Sequence, residues 1–284
     1  MIGKIKTNPI SGDLKKPTTL SPLRYPGGKS WFRAYLVTLL DEAKNPASRF
    51  IEPFAGGASA SLAIAELKLA TEVILSEVDP EICSLWKIIF SDQNTNLQNL
   101  IREFTISRKS IADLFKKPIL TELDRAFCCL VRNRVQRGGV ISEGAGLLRR
   151  GENDRGVKSR WYVDTLIKRL NDISKLETPI TFLAQDALVT LETYKDDPNA
   201  FFFVDPPYTI DGEGPGKRLY DFHVVDHVLL FDTLKKIKGR VVVTFHNATA
   251  IREKALQVGF KISTKGMRNS HHAKRRELVL KNWD

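Results

Sequence analysis

An α/β domain built on a mainly parallel sheet, interrupted by a basic and glycine-rich middle, is the architecture this chain predicts. Three observations carry it. Strand-length apolar runs alternate with helical patterns in both the first and the last third of the chain. Two of those runs end in turns made of Gly or Pro. Between Gly138 and Gly156, six glycines fall among arginines, a texture too flexible for a core and long enough for a functional loop. With 284 residues and 42% hydrophobic content, the chain suits one sizeable core with an insertion rather than several domains.

Taken in order, residues 1–20 read as a polar, basic arm, because Pro9, Gly12 and Pro17 break any helix. Residues 49–54 read as a strand ending in a Gly turn, followed by a helix over 59–69. A second strand over 72–78 ends at Asp79-Pro80, where the proline suits a helix N-terminus. Helical patterns follow over 81–90, 96–115 and 122–134, and helix resumes over 159–175 beyond the glycine-rich stretch. Strand and helix alternate again from Ile180: strands over 180–184, 201–204 and 240–245, helices between them and over 225–237 and 248–258, and two closing strands. Such alternation predicts parallel strands covered on both faces.

Net charge is +11 at a pI near 9.5, which favours an anionic polymer as partner. The charge is concentrated: from Arg125 to Arg169 there are eleven Lys/Arg against four acids. Cys83, Cys128 and Cys129 fit neither a disulfide framework nor a CxxC zinc site, so reduced, mostly buried thiols and no metal are expected. No apolar run approaches the roughly 18 residues of a membrane span and the start carries no signal-peptide pattern, so a cytoplasmic location is the default expectation.

The sharpest motif is Phe201-Phe202-Phe203-Val204-Asp205-Pro206-Pro207-Tyr208, an apolar strand that delivers a carboxylate to its carboxyl end. These residue types suit the activation of an aromatic amine. Asp205 can accept one amino hydrogen of an adenine and the Pro206 carbonyl the other, the two prolines stiffen the turn without adding N–H groups, and Tyr208 can stack on the base. A base held this way has left its duplex. The bland alternative is a tight turn after a buried strand.

A second motif, Glu52-Pro53-Phe54-Ala55-Gly56-Gly57-Ala58-Ser59 with Asp79 beyond it, has the form of a nucleoside-binding βαβ unit; helix packing with a capping Asp79 is its alternative. The third, Leu23-Arg24-Tyr25-Pro26-Gly27-Gly28-Lys29-Ser30, lacks the first glycine of a P-loop and reads either as a ligand-facing Gly turn or as a solvated loop. Asp186 ends the strand before the Asp-Pro-Pro-Tyr strand, where it can bind a cofactor's adenine or cap a helix. His223 and His227 read as structural or rim residues. The basic stretch Arg268, Asn269, His271, His272, Lys274, Arg275 and Arg276 reads as a solvated hairpin that can also touch phosphate.

These segments, in this order, resemble the Dam-type family of DNA adenine-N6 methyltransferases over almost the whole chain beyond the arm. Arg125-Ala126, Leu130, Asn133-Arg134 and Gly139 resemble the start of that family's target-recognition region, and Arg276 to Asn282 its closing strand. The resemblance implies a Rossmann-like S-adenosylmethionine-dependent methyltransferase fold. Its sheet is mainly parallel with one antiparallel strand, and a mainly helical target-recognition subdomain is inserted over 96–176 between catalytic segments 21–95 and 177–284.

It also implies a site. Asp205, Pro206, Pro207 and Tyr208 are the catalytic candidates. Tyr25, Gly27, Gly28, Lys29, Glu52, Phe54, Gly56, Gly57, Asp79, Asp186 and Asp205 are the cofactor candidates, with Asp79 on the ribose. Duplex DNA is the implied partner, contacted by Arg134, Arg137, Arg149, Arg150, Arg155 and Lys158. A catalytically silent DNA-binding protein of the same fold, or a methyltransferase of RNA or protein amides, are the alternatives. Ala58 stands where the family often has the last glycine of its turn, which calls for a negative φ at that residue. Asp79-Pro80-Glu81 stands where Asp-x-Asn is common, and Val140 to Tyr162 matches no specificity hairpin.

Overall fold

A computed structural model describes residues 19–24, 32–42, 47–141, 145–207, 225–268 and 274–284. The chain opens with α1 (Arg33–Glu42), β1 (Ala47–Glu52), α2 (Ser59–Glu66), β2 (Ala70–Glu77) and α3 (Pro80–Ile89). Four helices follow: α4 (Asn94–Glu103), α5 (Arg108–Lys116), α6 (Glu122–Val135) and α7 (Val163–Ser174). The alternating pattern then returns through β3 (Ile180–Ala184), α8 (Ala187–Tyr194), β4 (Ala200–Val204), α9 (His227–Leu234), β5 (Arg240–His246) and α10 (Thr249–Gln257), and closes with β6 (Lys261–Arg268) and β7 (Lys274–Lys281).

The strands form one seven-stranded sheet in the order β3-β2-β1-β4-β5-β7-β6. Pairs among β1 to β5 are parallel, and β7 runs antiparallel to both β5 and β6. This is the expected sheet with one strand reversed. The period-two alternation of a strand explains how both faces are covered: Phe201 and Phe203 of β4 enter one apolar cluster, Phe202 and Val204 the other. Phe50, Phe201 and Phe203 stack at 5.8 and 6.4 Å on the first face. That cluster continues without a break through Trp86 of α3 and Leu130 of α6 to Leu166 and Leu170 of α7, so the helices between β2 and β3 share the sheet's core.

Two departures from the sequence expectation have local causes. The single helix expected over 96–115 is two, because the Ser107 side chain accepts from the Ser110 N–H and the Ser110 hydroxyl accepts from the Ser107 N–H, a reciprocal cap that starts a new helix. A helix not anticipated, α1, buries Leu36, Leu39 and Leu40 against the sheet. Among the described residues, no helix is long and apolar enough to cross a membrane.

Candidate active site

The strand order reverses between β1 and β4. From β1 the chain proceeds to β2 and β3 on one side, from β4 to β5 on the other, and at such a switch point the crossovers leave a crevice beyond the carboxyl ends of the two central strands. Continuing the pairing register one or two residues past the strand ends aligns Ala184, Glu77, Phe54, Asp205 and Thr244 in one row along that edge. Thr244 of β5 is fully buried, and its hydroxyl donates to Asp205 Oδ1 at 2.6 Å. Asp205 itself is half-buried, Pro206 buried and Pro207 half-buried. The fourth catalytic candidate, Tyr208, lies outside the described residues, as do Tyr25, Gly27, Gly28 and Lys29.

The turn after β1 is held from several sides. Ala55 N–H donates to the Ser76 carbonyl at 3.0 Å, Gly56 N–H to Glu77 Oε2 at 2.9 Å, and the Trp86 indole N–H to the Gly56 carbonyl at 2.8 Å. Glu52 is buried and accepts the Ser61 N–H at 3.0 Å, placing its carboxyl group at the N-terminal end of α2. Gly56 takes φ 46°, a left-handed conformation that glycine adopts without Cβ strain. Ala58 takes φ 49°. The expected negative φ is therefore corrected: the turn keeps the left-handed geometry suited to glycine, and the alanine methyl bears the strain.

Asp79 caps α3, accepting from Glu81 N–H at 2.8 Å and Ile82 N–H at 3.4 Å. The carboxylate on the Gly turn belongs to Glu77, two residues earlier, which the sequence reading passed over. Glu77 Oε1 accepts from the N–H groups of Val78 and Asp79, at 2.8 and 3.1 Å. Burial pushes its carboxyl above the usual range, against the lowering effect of these three backbone donors. The signal was in the spacing: Glu77 closes β2, whereas Asp79 lies beyond it next to a helix-starting proline. Asp186 is exposed at the end of β3 and caps α8 through Leu188 N–H at 2.7 Å. Phe54 is half-buried, and Gly57 is buried within the turn.

The polar groups of this edge are of the kind a nucleoside requires. Gly56 lets a ligand approach the backbone, and Glu77 Oε2, which accepts one N–H, retains a lone pair for a hydroxyl. Further from the sheet, Arg137, Arg149, Arg150, Arg155 and Lys158 are all exposed. A bridge between Gln136 and Leu147 closes the loop that begins at Arg137, with Arg137 N–H on the Gly146 carbonyl at 3.1 Å, and Arg149, Arg150, Arg155 and Lys158 follow beyond it. Arg134 is not among them. It is 4% exposed and its guanidinium donates to the Pro22 carbonyl, so its charge is spent inside the protein. The His227 ring stands edge-on to Phe245 at 5.3 Å, whereas His223 lies outside the described residues. All three cysteines are free and buried, and among the described residues no His/Cys/Asp/Glu cluster could hold a metal ion.

The family model of D12 class N6 adenine-specific DNA methyltransferases matches residues 25–117, a span that includes the Gly turn and Glu77 but not Asp205. The match supports the Dam-type resemblance and S-adenosylmethionine as cofactor. No curated protein matches the chain significantly.

Three solved structures illustrate its likeness to known folds. A protein described provisionally as an RNA methyltransferase from Pyrococcus horikoshii superposes with TM-score 0.41 at 12% identity, covering 92% of this chain and 87% of that one. An rRNA methylase from Streptococcus thermophilus does so at 0.36 and 8%, covering 88% and 95%. Magnesium protoporphyrin IX methyltransferase from Synechocystis, a structure with bound S-adenosylmethionine, gives 0.37 and 10%, covering 88% and 78%. Likenesses this distant say nothing about the substrate.

Proposed function

We propose, from the premise that the chain is a methyltransferase using S-adenosylmethionine, that its acceptor is the exocyclic amino nitrogen of an adenine flipped out of duplex DNA. The observation that carries this reading is Asp205, half-buried at the switch point on the same sheet edge as Glu77, with its carboxylate held by Thr244. The family match and the exposed arginines between α6 and α7 support DNA as the polymer.

The amine needs help because its lone pair is delocalised into the purine ring. Asp205 accepts one amino hydrogen and the Pro206 carbonyl the other, which turns the lone pair out of the ring plane. Pro206 and Pro207 restrict the turn and leave no N–H to compete for the carboxylate. Tyr208 gives the extruded base a stacking face. S-adenosylmethionine supplies an electrophilic methyl on a sulfonium. Glu77, in place of Asp79, accepts the ribose hydroxyls; the turn of Glu52, Phe54, Gly56 and Gly57 lines the nucleoside, Asp186 faces its adenine, and Tyr25, Gly27, Gly28 and Lys29 complete the cofactor side.

Residues 96–176 serve as the DNA-reading insertion, with Arg137, Arg149, Arg150, Arg155 and Lys158 on phosphates and guanines. The test offers labelled S-adenosylmethionine with duplex DNA, RNA and protein in parallel. Label in duplex DNA is expected; label only in RNA or protein overturns the choice of acceptor.

A further inference from the structure

Residues 21–24 have no regular structure, yet side chains from helices α6 and α7 bind the carbonyls of Ser21 and Pro22 and both backbone polar groups of Arg24, while the Leu23 N–H donates to the Ser21 hydroxyl. Arg169 Nη1 of α7 donates to the Ser21 carbonyl at 2.8 Å, and the guanidinium of Arg134 in α6 donates to the Pro22 carbonyl. Asn133, also in α6 and 0% exposed, takes both polar groups of Arg24. Its Oδ1 accepts the Arg24 N–H at 2.8 Å, and its Nδ2 donates to the Arg24 carbonyl at 3.3 Å and to the Gly139 carbonyl at 2.8 Å.

A carboxamide carries donor and acceptor on one short side chain, which is what an isolated peptide unit requires; aspartate lacks the donor and alanine both. Gly139 completes the arrangement. It takes φ 78°, and a Cβ there would overlap the Arg24 carbonyl oxygen, so the turn after α6 touches the Arg24 backbone directly. Arg24 is bonded to Tyr25, the first residue of the Gly-Gly-Lys motif. The same α6 leads, one residue past Gln136, into the segment bearing Arg137, Arg149 and Arg150.

We infer that Asn133 is a positioning residue that fixes the chain where it enters the Tyr25–Lys29 motif and thereby couples duplex binding at the insertion to cofactor binding. This inference rests on the proposed reading of that motif and of the insertion. Anything that holds α6 still also holds the peptide ahead of the motif, so duplex DNA raises the affinity for the cofactor and, by linkage, the cofactor raises the affinity for the duplex.

The test uses the full chain and S-adenosylhomocysteine as probe, with its Kd measured by calorimetry with and without duplex DNA. Wild type is expected to bind the probe about 5-fold or more tightly with DNA present. Asn133→Ala is expected to bring that ratio to near one, with weakened probe binding, unchanged affinity for DNA, and faster amide exchange over residues 19–31 but not over β2. Asn133→Asp keeps the acceptor and the volume, and reads the same ratio should the alanine variant fail to fold. A wild type that binds DNA but no probe overturns the functional reading itself. A wild type that binds both, with a ratio that is one or that survives in the variants, leaves that reading standing and overturns the role of Asn133.

Discussion

The hydroxyl of Thr244 donates to Oδ1 of Asp205 at 2.6 Å, and Thr244 is the one hydroxyl-bearing residue of β5, a strand otherwise made of apolar side chains between Arg240 and His246. A buried hydroxyl costs free energy unless it is bonded, and here the bond goes to the carboxylate that the proposed mechanism requires in a fixed orientation.

Replacing Thr244 with valine keeps the shape and removes the donor. Turnover should fall about 10-fold with little change in KM for S-adenosylmethionine, because orientation of the carboxylate is lost rather than cofactor contact. Thr244→Ser should retain most of the rate. Steady-state kinetics of the two variants side by side checks this, and equal rates for wild type and Thr244→Val would remove the role.

Ala58 sits at φ 49° with its methyl buried. Glycine there relieves about 1–2 kcal/mol of left-handed strain and gives up about 0.8 kcal/mol of methyl burial. Ala58→Gly is therefore expected to leave the melting temperature unchanged or raise it by a few degrees, whereas Ala58→Val should lower it clearly. Thermal unfolding of both variants decides.

Glu77, raised by burial, sets a pH dependence of known sign. A carboxyl whose folded value lies above its unfolded value contributes most to stability in acid. That contribution falls as pH rises from the ordinary carboxyl range through the raised value, and is flat beyond it. Wild type should thus lose stability relative to Glu77→Gln across that window. Binding of S-adenosylhomocysteine should strengthen over the same window, since the ionised carboxylate is the better acceptor for hydroxyls. Denaturant melts and binding isotherms at several pH values test both; parallel stability profiles would contradict the shift.

Arginines of the insertion should divide by burial. Arg134→Ala is expected to cost about 2 kcal/mol or more, leaving the Pro22 carbonyl unbonded and a gap in the core. Arg149→Ala and Arg150→Ala should be neutral for stability, weaken duplex binding, and each reduce the slope of log K against log salt by about 0.9 if the contact is to phosphate. Salt titrations of binding, alongside melts, separate the groups.

The sheet was legible because its central strands are short apolar runs punctuated by Gly and Pro, signals that sit in the residues themselves. The place of Asp205 at the carboxyl end of β4 was legible because strand end and motif coincide there. Where two acids compete within three residues the sequence does not separate them: Glu77 bonds the Gly turn and Asp79 caps α3, and which side of the strand end each falls on follows the β1–β2 register rather than local pattern. Arg134 looked like a member of a basic cluster because composition counts charge without direction. On α6 its neighbours in sequence are largely buried, and its inward direction shows in its burial and in its donation to the Pro22 carbonyl. The split between α4 and α5 turned on one serine pair whose capping role competes evenly with helix propensity.

The most direct test digests duplex DNA to nucleosides after incubation with S-adenosylmethionine and either wild type or Asp205→Ala, and identifies the methylated base by mass spectrometry. N6-methyladenine from the wild type and none from the variant is the expected result. Methyl on another base, or full turnover without the Asp205 carboxylate, would contradict the central claim.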